Sequence, residues 1–344
     1  MKSRKREKVT VGRIWGIIYP MLIYLAITYV IMIVLMIGIA VQGMMSGITG
    51  DVELTNYLYD KVNGQVLLLT MIAGILTIPV MLFLYRRDTQ KDILRNTYEK
   101  YERVHSLKYL LIIPFGIFNM MWANMFVALL QMFMPEFMIK SYSGTAEAIY
   151  GSSLIIQFIT AGVVGPIVEE MIFRALVYKR TKKIAGMIPA AIISSVLFGV
   201  FHANWIQAPY AIIIGFMCVF VYEKYKSIIA PIILHISANC FSLLIAFWAG
   251  DASSTEVEQS LETIKQSEYI FSLLITILVM GLLAFITGAV IYAIVRPKKI
   301  NNMNIENENI EQNINNKIEQ NIDILQEEEK VDMENTFYYQ RRDK

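Results

Sequence analysis

The chain has 344 residues, 56% of them hydrophobic and only 17% charged, where a soluble domain carries about a quarter charged residues. Its net charge of +2 excludes the strongly basic surface of a nucleic-acid-binding protein. Its two cysteines, Cys218 and Cys240, lie inside apolar runs; they read as buried small hydrophobes, with neither the spacing of a zinc site nor the number for a disulfide framework.

Apolar runs of 18 residues or more read as membrane spans. In chain order they predict eight, at about 14–41, 64–85, 109–134, 150–178, 186–203, 206–223, 228–249 and 269–295. The first follows the basic stretch MKSRKREK. At about 30 residues it exceeds the roughly 7–15 of a signal-peptide core, and no clear cleavage site follows, so it reads as an uncleaved span. Basic residues then alternate between loops. Lys2, Arg4, Lys5, Arg6 and Lys8 precede the first span, and seven more lie between Arg86 and Lys108. Lys179, Arg180, Lys182 and Lys183 follow the fourth span, Lys224 and Lys226 the sixth, and Arg296, Lys298 and Lys299 the eighth. The intervening loops are poor in Lys and Arg, and the one at 250–268 is acidic. The positive-inside bias therefore places both termini in the cytoplasm, in a multi-pass protein of the cell membrane.

Residues 86–107 suit a surface helix on the inner leaflet, with His105 as a solvated or interfacial side chain. Residues 1–299 form the membrane domain, and 300–344 form a polar cytoplasmic tail rich in Asn, Glu and Gln. That composition predicts a largely disordered segment. Ile305, Ile310, Ile314, Ile318, Ile322 and Leu325 recur in it at near-helical spacing, which would also suit a helix docking a protein partner. The expected fold is an all-α polytopic bundle of about eight transmembrane helices, with the functional residues on the fourth to seventh.

Those residues are Glu169, Glu170, Arg174, His202, His235 and Asn239. Ionisable groups at membrane depth cost at least a few kcal/mol and mark functional sites. Glu170 and Arg174, at i and i+4, share a helix face and can pair, while Glu169 points about 100° away. The division leaves Glu169 free to face a water. A carboxylate in a low-dielectric cleft has its pKa raised, which suits a general base. The bland alternative is an ion pair that locks the helix. His235 and Asn239 are also an i, i+4 pair; together they could hold a metal or donate to a developing oxyanion. His202, four residues after Phe198, could instead do no more than bond a neighbouring helix.

The segments EEMIFRALVYKR, SSVLFGVFHANW and YEKYKSIIAPIILHISANC resemble the CPBP family of intramembrane proteases, which comprises CAAX prenyl endopeptidases and bacteriocin-processing enzymes and includes the bacterial Abi proteins. The resemblance covers about residues 148–250. It implies peptide-bond hydrolysis of a peptide or membrane-anchored protein inside a helical bundle. Glu169 would activate water with help from His202, His235 and Asn239 would stabilise the oxyanion, and Glu170 and Arg174 would support Glu169. Family members are usually described as metalloproteases, so zinc or another divalent metal on His202 and His235 is implied; a metal-free glutamate mechanism is the alternative. Ala175 departs from the pattern, standing where many relatives have Gly.

Two further expectations concern depth. At 1.5 Å per residue, Glu169 stands about 15 Å from an inner end near residue 178 and His235 about 12 Å in, but His202 stands about 24 Å beyond Gly186. The fifth helix must therefore begin deep, near Pro189, or tilt strongly. The basic loops suggest a cavity open to the cytoplasm, with cleavage near that side. A catalytically silent scaffold or immunity partner, and a transporter with repeated halves, are the competing readings.

Overall fold

The computed structural model describes residues 6–48, 50–249 and 267–300. The candidate partner-docking tail at 301–344 and most of the acidic 250–268 loop lie outside them. The helices are α1 (Val11–Met45), α2 (Asp51–Asn63), α3 (Val66–Leu94), α4 (Ile112–Gln131), α5 (Glu136–Tyr150), α6 (Leu154–Ala185), α7 (Met187–Phe201), α8 (Gln207–Tyr225), α9 (Ile229–Ala249) and α10 (Ser267–Ile294). No named β-strand occurs among the described residues, and the chain is an all-α, polytopic membrane bundle.

The eight expected spans resolve into seven helices long and apolar enough to cross a membrane and one shorter apolar helix, α7. Its 15 residues reach about 22 Å, short of a hydrocarbon core of about 30 Å. Backbone conformation sets both of its limits. Gly186 has φ +91°, a left-handed conformation that glycine adopts without a Cβ clash, and breaks the chain between α6 and α7. At the other end Ala203 has φ +50°, and the Asn204 side-chain oxygen accepts from the N–H groups of Ile206 (3.0 Å) and Gln207 (3.2 Å), starting α8.

Two expectations change. The proposed surface helix at 86–107 does not form as a separate element: residues up to Leu94 are the last turns of α3, and 95–105 are not helical. His105 accepts from Leu107 N–H at the start of a short 3-10 turn before α4, a structural role. The second concerns the length of α6. It runs to Ala185, seven residues past the expected end of the fourth span. Lys179–Lys183 read as loop in the sequence, yet are helical because acids on neighbouring segments meet them: Asp88 pairs with Arg180 at 2.6 Å, Asp92 with Lys183 at 2.5 Å, and Glu223 with Lys182.

That extension removes the depth conflict. Glu169 precedes Gly186 by 17 residues and His202 follows it by 16, so the two arms of the α6–α7 hairpin climb about 25 and 24 Å to the same level. No deep start is needed, because α7 begins at Met187 and Pro189 sits in its first turn.

Packing splits into an apolar cluster centred on α6, with Met81, Ile172, Phe173, Leu176 and Phe198, and another joining α4, α8, α9 and α10 through Phe115, Cys218, Leu234 and Ile291. Close approach is set by glycine in places: a Cβ on Gly116 would lie 2.7 Å from the Leu234 carbonyl oxygen, so α4 and α9 touch backbone to backbone. A separate small unit comprises 98–103 and 298–344, of which 298–300 are described. There Tyr101 and Lys299 form an antiparallel bridge, flanked by Glu102 N–H to the Lys298 carbonyl and Ile300 N–H to the Lys100 carbonyl.

Candidate active site

Helix α6 is not regular. Its residues Phe158–Val164 and Met171–Tyr178 are wound as π-helix, on either side of the α-helical turn Gly165–Glu170. Wider winding accommodates Pro166, which lacks an N–H, and shifts the carbonyl pattern. Side chains from neighbouring helices then use carbonyls of these segments. Asn239 donates to the Ala161 oxygen at 2.8 Å and Ser194 to the Phe173 oxygen at 2.9 Å. The irregular stretch thereby fixes α6 against both α7 and α9.

The turn between the π segments carries the two glutamates, and their environments differ as the helix phase predicts. Glu170 is fully buried; the Glu169 side chain is 26% exposed and lines a cavity of about 580 Å³. Arg174, also fully buried, donates from Nη1 to Glu170 Oε1 at 2.9 Å and from Nη2 to the Gly215 carbonyl at 3.2 Å. The same Glu170 oxygen lies 2.9 Å from His235 Nδ1, and His235 Nε2 faces Glu169 Oε2 at 3.6 Å. The ionic support implied for Glu169 therefore acts through His235. The carboxylate fixes the ring with a proton on Nδ1 and turns Nε2 to the cavity.

His202, His235 and Asn239 line the cavity with Glu169. The link between the two imidazoles is Phe198, which the sequence reading used only as a spacing marker. Its ring holds His202 edge-on at 4.9 Å and His235 edge-on at 5.7 Å, and the Arg174 guanidinium lies over it at 4.4 Å. His202 Nδ1 is 2.9 Å from the Phe198 carbonyl oxygen, so Nδ1 carries the proton and Nε2 is free to accept. All six expected residues thus meet, four on the cavity wall and Glu170 with Arg174 behind it. The i, i+4 spacing to His202 was the available signal for Phe198.

Among the described residues, one group of three metal-ligating side chains has its ligand atoms within 4.8 Å of one another: Glu170, Cys218 and His235. It shares His235, but not His202, with the expected pair. A buried Glu/Cys/His triad can reach one ion, but the Arg174 guanidinium paired with Glu170 opposes a dication there, at about 332/(εr) kcal/mol per charge pair. Cys218 is moreover buried away from the cavity, so a metal at the triad would lack the open water position of a catalytic site. The triad can hold an ion but does not fit an open, catalytic metal site.

The cavity reaches one particular end of the bundle. Its lining comes from the first turns of α3 (Val66, Thr70) and α8 (Gln207, Tyr210), the last turns of α4 (Gln131) and α9 (Ala246), and from α5 (Tyr142, Tyr150). Every one of these lies at the end opposite the basic segments 86–95, 179–183 and 224–226. On α5, which lies outside the spans, burial pushes the Tyr142 phenol up to about 12, so it remains a neutral hydrogen-bonding group at the cavity wall.

Residues 151–241, which hold all six site residues, match the family described as "Type II CAAX prenyl endopeptidase Rce1-like". A 90-residue stretch is 33% identical to a protein of Bacillus subtilis (strain 168) described as "Putative membrane peptidase YdiL". That stretch covers 26% of this chain and 37% of the relative, so the chain matches little more than a third of the relative's length. No solved structure matches significantly.

Proposed function

We propose that this chain, whose residues 151–241 belong to the CAAX protease and bacteriocin-processing family, is an intramembrane endopeptidase. The observation that carries the reading is the 3.6 Å approach of Glu169 to His235 Nε2 on a cavity wall inside the bundle, with His235 held from behind by Glu170. Lipid offers polar groups no partners, so such a cavity must hold water.

In this reading Glu169 takes a proton from a water oriented by His202 Nε2, and the water oxygen attacks the carbonyl carbon of the scissile amide. The carbonyl electrons move onto oxygen. That oxyanion faces the Nε2 edge of His235 and the second N–H of the Asn239 amide, the first being bonded to Ala161. Glu169 then delivers its proton to the departing nitrogen, the C–N bond breaks, and an acid and an amine leave. Glu170 and Arg174 position His235 and touch no substrate. No step runs through a metal.

With the basic segments on the cytoplasmic side, the cavity extends toward the outer face. The substrate is then a peptide or membrane-anchored protein presented from that side, rather than one cut near the cytoplasm. Comparison of peptide profiles from cells carrying the wild type and Glu169→Ala tests the activity: a peptide seen only with the wild type supports it, and identical profiles refute it. An impermeant maleimide on Gln131→Cys tests the direction, with labelling of intact cells expected and labelling of inverted vesicles alone contradicting it.

A further inference from the structure

We propose that a second cavity, outside the candidate active site, binds one anionic phospholipid, with an acyl chain between α4, α8 and α10 and the phosphate on Lys224 and Arg296. The cavity is about 610 Å³ and is walled mainly by Phe115, Trp122, Met217, Phe220, Phe285 and Tyr292. Asn119 is its one carboxamide, and that amide already donates to the Phe115 carbonyl at 2.7 Å. A wall of this kind accepts hydrocarbon and has little to offer a peptide backbone.

Two glycines of α10 shape it. A Cβ at Gly281 would lie 3.3 Å from Trp122, and one at Gly288 would lie 3.1 Å from Phe115. Larger residues there would fill the groove.

Charge decides the occupant. Lys224 stands four residues past Phe220 on α8, so it continues a lining face toward one end of the groove; Arg296 follows just past the end of α10, close enough for its charge to act on Lys224. Lys224 Nζ lies 3.3 Å from the centre of the Tyr292 ring and donates to the Tyr292 carbonyl at 3.1 Å. Capping of α10 explains that bond but not the second cation. Neither Lys224 nor Arg296 is paired with a carboxylate among the described residues, because the adjacent Glu223 is committed to Lys182 and Lys226. An apolar groove ending in two uncompensated cations is complementary to an acyl chain ending in a phosphate. These cations share an end with the other basic segments, and the positive-inside bias puts that end at the leaflet where anionic lipids concentrate.

The test uses the full chain in mixed micelles of equal phosphatidylglycerol and phosphatidylcholine, with retained lipid read by native mass spectrometry. The wild type is expected to keep one phosphatidylglycerol in preference. Lys224→Gln with Arg296→Gln, both near the surface, should lower that preference roughly 25-fold, at about fivefold per cation. Gly281→Leu should lose retained lipid of both kinds. Equal retention of the two lipids by the wild type, an unchanged preference in the double variant, or a lipid-free dimer occupying the groove with a second copy would each overturn the proposal.

Discussion

Two ionic networks lie about two turns apart on α6, and they differ in one respect that separates scaffold from site. At the basic end, Asp88, Asp92 and Glu223 each meet cations or hydroxyls, several at once: Glu223 alone takes Lys182, Lys226 and the Tyr178 hydroxyl. Each of these three acids is answered near the helix ends. Deeper in the bundle, Glu170 Oε1 carries both Arg174 and His235, while Glu170 Oε2 and Arg174 Nε have no hydrogen-bond partner among the described residues. Its neighbour Glu169 is left open to a cavity. Incomplete satisfaction at depth is costly, and here it stands beside a space a substrate could fill.

This contrast is broken most severely by Arg174→Met. Removing one partner of a fully buried pair should cost about 3–5 kcal/mol, visible as a large drop in the thermal unfolding midpoint in lipid; an unchanged midpoint would mean the pair is not buried as described. Asn239→Ala should cost about 1 kcal/mol through the lost bond to Ala161, and slow peptide cleavage about 100- to 1,000-fold if its free N–H meets the oxyanion. A rate within a few-fold of wild type would remove Asn239 from that role. Asp88→Asn, in the answered network, should cost only about 1 kcal/mol, less at high salt, and should not alter cleavage. Chelators should change nothing in rate, since the Arg174 guanidinium paired with Glu170 opposes a dication at the buried triad; loss of activity restored by zinc would contradict that.

Much of the site was legible before any coordinates. The i, i+4 rule correctly paired Glu170 with Arg174 and turned Glu169 away from them, because helix phase depends only on spacing. The position of His202 was not legible. Five polar residues, Lys179–Lys183, have no hydropathy that marks them as helix, and the acids that hold them come from α3 and α8, far away in sequence. Stopping α6 early created the apparent depth conflict. The π-wound turns escaped notice because apolar positions there do not distinguish wide from regular winding. Phe198 reads as one more core aromatic until both imidazoles are seen on its ring. The cavity's reach toward the end away from the basic segments was not legible for a different reason: charge bias assigns sides to helix ends, but not to the space left between helices.

The central claim is that Glu169, and not its buried neighbour, handles the water. Cleavage by the purified chain in lipid vesicles, for wild type and Glu169→Gln, tests it most directly, with a substrate peptide found from the cell profiles. The account expects a fall of at least about 100-fold with an unchanged unfolding midpoint. Cleavage at the wild-type rate by a folded Glu169→Gln protein would contradict it.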